Sequence, residues 1–203
     1  MTSSTLHFNQ SVFKKKFEQY IDSDRRIKGA VDKFATKVFI SAKTKLIQDF
    51  NDSKITQELK EGPGAENISG TLGYGNLFAF LGFWDDQQPT LELEQLLLNI
   101  SMGRQVTRRG NTVYYKVNVP DRTTIEDVTR LNWGNSSWCY AIEDGEFNGD
   151  AALSHFVYKS WANGRSKEGF QIEANYSESE FLPKPFLTEI FNNFRERING
   201  GKV

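Results

Sequence analysis

Cysteine and histidine are nearly absent from this chain. Its 203 residues include one cysteine, Cys139, and two histidines, His7 and His155. A single cysteine excludes an intrachain disulfide and any metal site built from a cysteine cluster. The spacings His-x-His, Glu-x-x-His and His-Glu-x-x-His do not occur. The sequence therefore offers no ligand set for a catalytic transition metal, and the apolar neighbours of Cys139 favour a buried thiol.

Long apolar runs are also missing, and we expect no secretory signal. No run approaches the roughly 20 apolar residues of a membrane-spanning helix, and the N-terminus MTSSTLHFNQ lacks a charged segment followed by an apolar one. We therefore expect a protein without membrane contact, made in a reducing compartment. The net charge is −1, from 25 basic and 26 acidic residues. This balance argues against a dedicated nucleic-acid binder, which needs a basic excess.

The common catalytic signatures are absent or incomplete. The glycine-rich run GTLGYG at residues 70–75 lacks the Lys-Ser/Thr pair of a phosphate-binding loop, and Gly-x-Ser-x-Gly does not occur. A nucleophile pair of Cys139 and His155 is conceivable, but no surrounding residue supports it. We predict that the protein is not an enzyme and carries no cofactor.

One acidic cluster keeps an enzymatic alternative open. Glu143, Asp144 and Asp150 lie close together in the sequence, and such carboxylates can bind Mg²⁺ or perform acid–base chemistry. The alternative hypothesis is a metal-dependent nuclease or hydrolase. A glycan-binding module that uses Trp133, Trp138 and Trp161 is a third hypothesis, although tryptophans on strands usually belong to the core.

Glycines and large apolar side chains are concentrated at residues 67–84. The glycines allow unusual backbone angles and close approach of a second chain, while the apolar side chains require burial. We interpret this segment as a hairpin or loop that orders against neighbouring subunits; an internal strand pair is the alternative. The predicted subunit-interface residues are Leu77, Phe78, Phe80, Leu81, Phe83 and Trp84.

Periodicity predicts the remaining elements. Apolar residues at steps of three and four, with lysines between them, predict a long helix from about residue 25 to 50. The period changes to two around Gly110 and Asn111, which predicts a hairpin with these residues at its tip. We expect helices at residues 13–21, 91–100, 123–131 (capped by Thr124) and from Phe186 to Gly200, and strands at residues 137–143, 155–161 and 170–176.

The expected fold class is α+β. An antiparallel or mixed β-sheet is packed by the long N-terminal helix and a C-terminal amphipathic helix, with the glycine–aromatic hairpin as an extension. The expected domain organisation is an N-terminal arm with a short helix at residues 1–24, followed by a single α+β domain at residues 25–203.

Three short motifs carry a family resemblance. They are ISGTL at residues 68–72, YAIEDG at residues 140–145 and LPKPFL at residues 182–187, behind a basic N-terminal helix. In order and spacing, residues 25–199 resemble the tail-completion and head–tail joining (neck) proteins of tailed bacteriophages. Residues 76–84 and 123–134 depart from that pattern, so a tail terminator, a tail-completion protein and another neck component all remain open.

The resemblance implies a structural virion protein. Members form closed rings, commonly hexamers, between the connector and the tail tube, so it implies contacts with copies of itself and with other neck, connector or tail-tube proteins. It also implies assembly in the host cytoplasm, a final location in the virion, and transient contact with passing DNA. Arg104, Arg108 and Arg109 are the candidates to face that DNA, with a solvated turn as the alternative for each.

Overall fold

The structure is a computed structural model that describes residues 24–73, 75–109, 112–131, 136–145 and 181–200, with backbone alone at 104–109 and 112. The fold class is α+β, as predicted. The described part contains seven α-helices and one two-stranded antiparallel sheet. The elements predicted at residues 13–21, 155–161 and 170–176 lie outside the described residues.

The long N-terminal helix, α1, spans Arg25–Asp52 and confirms the periodicity. Asp24 begins it by accepting a hydrogen bond from the backbone N of Arg26 at 2.8 Å. Its buried residues recur every fourth position, at Val38, Ala42, Leu46 and Phe50. The predicted apolar stripe is covered only in this C-terminal half, because Ile27 and Phe34 remain 38% and 57% exposed.

Short helices follow α1 and wrap around its buried half. Helix α2 spans Lys54–Glu61 and runs into a 3₁₀ turn at Gly62–Gly64. Helix α3 spans Leu77–Phe80, and helix α4 spans Leu91–Leu98. The ammonium of Lys43 on α1 donates hydrogen bonds to the carbonyl oxygens of Leu98 and Ile100 at 2.6 and 2.9 Å. These bonds fix the C-terminal end of α4 against α1.

The sheet is the hairpin that the sequence predicted. Strand β1 spans Ser101–Arg109 and pairs antiparallel with β2, Thr112–Asn118. The register shifts between Gly103 and Thr107, so the pairing is irregular there. The hydroxyl of Tyr115 donates to Asp32 on α1 at 2.6 Å, which holds the hairpin beside the long helix.

Helices α5 (Arg122–Val128), α6 (Trp138–Asp144) and α7 (Leu187–Gly200) complete the described fold. Helix α7 packs against α1, and a bidentate ion pair joins Arg197 on α7 to Asp49 on α1. None of the described helices combines the length and hydropathy needed to cross a bilayer.

Two predicted elements were wrong. Residues 137–143 form helix α6 rather than a strand: Ser137 caps it by accepting from the backbone N of Tyr140, and the buried residues follow helical spacing. The described residues of the glycine–aromatic segment form no hairpin. Its residues Leu77–Phe80 form helix α3, and Asn76 caps this helix by accepting a hydrogen bond from the backbone N of Ala79. Short apolar runs do not distinguish a strand from a helix.

The capping of two predicted helices also differs from expectation. Asp121, not Thr124, caps α5, because its carboxylate accepts from the backbone N of Thr124 at 2.8 Å. Helix α4 follows Thr90 as predicted, but the Thr90 side chain makes no capping hydrogen bond.

Candidate functional site

The three motif segments meet at one place, which we call the motif junction (residues 68–72, 140–145 and 182–187). The backbone N of Leu182 donates to the carbonyl oxygen of Thr71 at 2.7 Å. The ammonium of Lys184 donates to the carbonyl oxygen of Ser69 at 2.6 Å. The backbone N of Lys184 donates to the carbonyl oxygen of Ile142 at 3.2 Å. The third motif therefore bonds to both of the others.

Glu143 caps the last helix from within the junction. Its Oε1 accepts hydrogen bonds from the backbone N of Phe186 at 3.0 Å and of Thr188 at 2.6 Å. Its Oε2 accepts from the Thr188 hydroxyl at 2.9 Å. The first N–H groups of a helix have no partner inside it and carry partial positive charge. The Glu143 carboxylate satisfies them, so this residue holds α7 against α6.

We expect Glu143→Ala to lower the free energy of unfolding by about 1–2 kcal/mol, the usual cost of losing a helix cap. Urea unfolding followed by circular dichroism measures it. Asp144→Ala is the matched control, because Asp144 is exposed and makes only a 3.5 Å ion pair with Arg122. Equal losses for both variants would contradict the capping role.

The junction needs glycine at position 145. Gly145 ends α6 with a φ of 68°, in the left-handed region. A Cβ at this position would lie 2.5 Å from Cγ of Pro183, which no packed side chain tolerates. The chain therefore turns out of α6 directly against the proline segment.

The buried carboxylate of Glu58 binds backbone groups in and after the first motif. The sequence did not predict this role. The side chain of Glu58 is 0% exposed, and its carboxylate accepts from the backbone N of Ser69 at 3.0 Å and of Leu77 at 2.5 Å. It thus binds both ends of the segment between residues 69 and 77. Glu58 follows Ile55 by three residues and precedes Leu59, all on the buried face of α2. That spacing was the signal that could have found it.

The proposed carboxylate cluster does not form a metal site in the described residues. Glu143 binds the start of α7 and Asp144 pairs with Arg122, while Asp150 lies outside the described residues. Within the part of the chain that the structure describes, no group of three His, Cys, Asp or Glu side chains is placed to hold a metal ion. His7 and His155 also lie outside the described residues.

Cys139 is a buried structural thiol. It is 0% exposed on α6. Burial raises the pKa of the thiol well above its usual value, and the nearby Glu143 carboxylate raises it further. A raised pKa leaves less thiolate, the reactive form, at neutral pH.

We expect Cys139 in the native protein to react with a disulfide reagent at least about 100-fold more slowly than in the urea-unfolded chain, because only opening of the core exposes it. Absorbance of the released thiolate measures the rate. Reaction at the same rate in both states would contradict the burial of Cys139.

Three of the predicted interface residues belong to the protomer's own core. Leu77, Phe78 and Leu81 are at most 1% exposed. They pack in the cluster that also holds Phe50 of α1 and Trp138 of α6. The prediction that these three form a subunit seam is therefore wrong, because α3 and its C-cap residue Leu81 direct these side chains inward.

The other three predicted interface residues differ in exposure. Phe80 stacks on Phe181 with ring centroids 5.7 Å apart, and Phe83 lies 5.5 Å from Phe78. Both are partly buried against the core. Trp84 is 70% exposed, so it is the member of the set that remains available to a partner.

The structure describes the remaining predicted site residues only in part. Arg104, Arg108 and Arg109 lie on β1, but their side chains fall outside the described residues. Trp133 and Trp161 lie outside them as well. Trp138 is 1% exposed inside the core, which removes it from any glycan-binding surface.

No protein-family model matches this chain, and neither curated proteins nor solved structures yield a match.

Proposed function

We propose that this protein is a structural virion subunit of a tailed bacteriophage, assembling as a ring at the head–tail junction or tail end and performing no catalysis. A tail terminator, a tail-completion protein and another neck component each fit this role. The proposal rests on the motif resemblance and on how the described residues use their polar groups.

The observation that carries it is the motif junction. Motifs separated by up to 115 residues, as between Ser69 and Lys184, contact one another directly and form one structural unit. Within that unit the charged side chains of Glu143 and Lys184 bind backbone groups. These are the contacts of residues that position elements of a fold, which is consistent with a protein whose role is to present surfaces.

Surface chemistry supports association rather than turnover. Trp84, Phe34 and Ile40 are each more than half exposed, and exposed large apolar side chains are typical of interaction sites. The near-zero net charge also suits self-association, because repulsion between copies is weak. No observation in the described residues favours the nuclease or hydrolase alternative, since Glu143 serves as a helix cap.

Native mass spectrometry of the purified protein, together with negative-stain imaging, tests the proposal. We expect a discrete oligomer, with six copies as the first expectation, that images as an annulus. The copies associate through different patches on each subunit, as ring closure requires. A monomer at millimolar concentration would contradict the proposal.

The enzymatic alternative has a separate test. Calorimetric titration with Mg²⁺, Mn²⁺ and Ca²⁺ is expected to give no binding heat. Binding that Asp144→Ala abolishes, accompanied by cleavage of DNA, would instead establish the alternative.

A further inference from the structure

A hydrogen-bonded, acidic corner presents Trp84 to solvent. Trp84 is 70% exposed, and Asp85 and Asp86 beside it are exposed as well. The backbone N of Trp84 donates to Oε1 of Gln87 at 2.7 Å, and the backbone N of Gln87 donates to the Trp84 carbonyl oxygen at 2.9 Å. Phe83 anchors the corner on the core through Phe78. We call Trp84, Asp85 and Asp86 the tryptophan corner.

Such a corner is suited to binding a partner. Tryptophan is buried on average more than most residues and is enriched among residues that dominate interface energetics. The Gln87 hydrogen bonds hold the turn in one conformation before any partner arrives. Association therefore loses little conformational entropy at this turn.

A groove elsewhere on the protomer has the complementary chemistry. It encloses about 440 Å³ between β2, α5, α6 and α7. Its apolar lining includes Val119, Tyr140, Phe191 and Ile198, and its charged lining is Arg122 and Arg195, with no acidic residue. We call it the Tyr140 groove.

Two of the residues that line the Tyr140 groove, Arg122 and Tyr140, form a cation–π contact. The Arg122 guanidinium lies 4.3 Å from the centroid of Tyr140, where Glu126 at 2.7 Å and Asp144 at 3.5 Å hold it. Burial raises the pKa of the Tyr140 hydroxyl to about 12; like an ordinary tyrosine, it is protonated at physiological pH. Arg195 is exposed and pairs with no carboxylate among the described residues.

The two surfaces match in size, polarity and charge. Ligand pockets span roughly 300–1,000 Å³, and a groove of about 440 Å³ accepts one large aromatic side chain with its flanking groups. An indole on aromatic and aliphatic walls next to guanidinium groups gains dispersion and cation–π attraction. Arg122 is already paired with Glu126 and Asp144, so Arg195 is the groove residue whose charge complements the two aspartates of the corner.

The corner and the groove share no residue, so a contact between them in two copies is heterologous, the kind that closes into rings. We propose that the tryptophan corner of one protomer docks in the Tyr140 groove of the next copy. This inference rests on the proposed function and identifies the seam of the ring.

Cysteine cross-linking tests this seam directly. Cys139 is fully buried, so engineered surface thiols react alone. Asp86→Cys and Arg195→Cys are expected to form a disulfide-linked dimer when the two variants are mixed and oxidised, and little when each is oxidised separately. The double variant is expected to give a ladder of linked species that ends at the ring's copy number. A mixture that links no better than each variant alone would overturn the proposal.

Solution variants give an independent measure. Trp84→Ala is expected to weaken subunit association at least about 30-fold, as for a dominant interface residue. Tyr114→Ala, at an exposed aromatic residue on β2 with 50% exposure that does not line the groove, is expected to change it less than about 3-fold. Asp86→Arg and Arg195→Asp should each weaken association, and their combination should restore it. Analytical ultracentrifugation compares these five variants with the wild type.

The outcomes separate the seam from the proposed function. If the wild-type protein forms a ring and the Trp84→Ala variant forms the same ring with unchanged affinity, the proposed seam is wrong and the proposed ring stands. The same conclusion follows if a different peptide occupies the groove in assembled rings. A wild-type protein that stays monomeric overturns the ring and the seam together.

Discussion

Glu58→Ala is expected to lower the free energy of unfolding by about 3 kcal/mol or more. The backbone N–H groups of Ser69 and Leu77, which the carboxylate now accepts from, are both buried. Each buried donor left without a partner costs about 1–3 kcal/mol. The high helix propensity of alanine offsets little of this loss. Urea unfolding measures the change. The slope of the free energy of unfolding against urea concentration should be unaltered if the substitution does not change the area exposed on unfolding.

Two companion variants isolate the cause. Glu61→Ala changes an exposed glutamate on the same helix, so its effect should stay within about 0.5 kcal/mol. Glu58→Gln keeps the side-chain size but replaces one acceptor oxygen by a donor. Its loss of unfolding free energy should therefore fall between those of Glu61→Ala and Glu58→Ala. Amide hydrogen exchange at Leu77 should accelerate only in the Glu58 variants. A Glu58→Ala protein as stable as Glu61→Ala would refute this account of the buried carboxylate.

Phe186→Ala is the second large effect, with an expected loss of about 3–5 kcal/mol for a buried aromatic side chain. Phe186 is 2% exposed, and its ring centroid lies 6.1 Å from that of Phe50 and 6.0 Å from that of Trp138. The substitution leaves a cavity where α1, α6 and the third motif meet. Thermal and urea unfolding measure the loss, and near-ultraviolet circular dichroism should report altered packing of Trp138.

Leu182→Ala is the control from the same motif. Leu182 is 58% exposed, so truncating it should change stability by less than about 0.5 kcal/mol. Phe186→Leu should cost less than Phe186→Ala, because the residual cavity is smaller. Equal stability of the Phe186→Ala and Leu182→Ala proteins would contradict the packing of the junction.

Elements with strong local signals were predictable. Helix α1 has a capping aspartate and sustained periodicity over 28 residues, so local preference and tertiary packing agree. The β1–β2 hairpin was equally clear, because alternation on both sides of a Gly-Asn tip has no helical counterpart. Helix α7 followed from the proline segment and its apolar spacing.

Helices α3 and α6 were not predictable with the same means. Each is a short apolar run, of 4 and 7 residues, in which β-strand and helix patterns overlap. Capping by Asn76 and Ser137 decided the outcome locally, and burial in the common core stabilised it. The glycines that suggested a hairpin serve instead as turns before and after α3, at Gly75 and Gly82.

The candidate site divides in the same way. The three motifs were legible in the sequence, whereas their convergence depends on contacts between residues as distant as Ser69 and Lys184. Glu143 was named only in the alternative hypothesis, as a metal-binding or acid–base carboxylate, because the sequence does not show that the first turn of α7 lies against it. Trp84 stayed available while its neighbours were buried, a difference that only the direction of each side chain on the folded chain creates.

For this protein, periodicity and capping within the amino-acid sequence determined the class of fold, the long basic helix, the hairpin and the last helix, because those signals act between residues a few positions apart. Tertiary structure alone decided which apolar residues face solvent and which carboxylates bind backbone groups. Both depend on contacts between segments far apart in the chain, where the free energy of burial outweighs local preference.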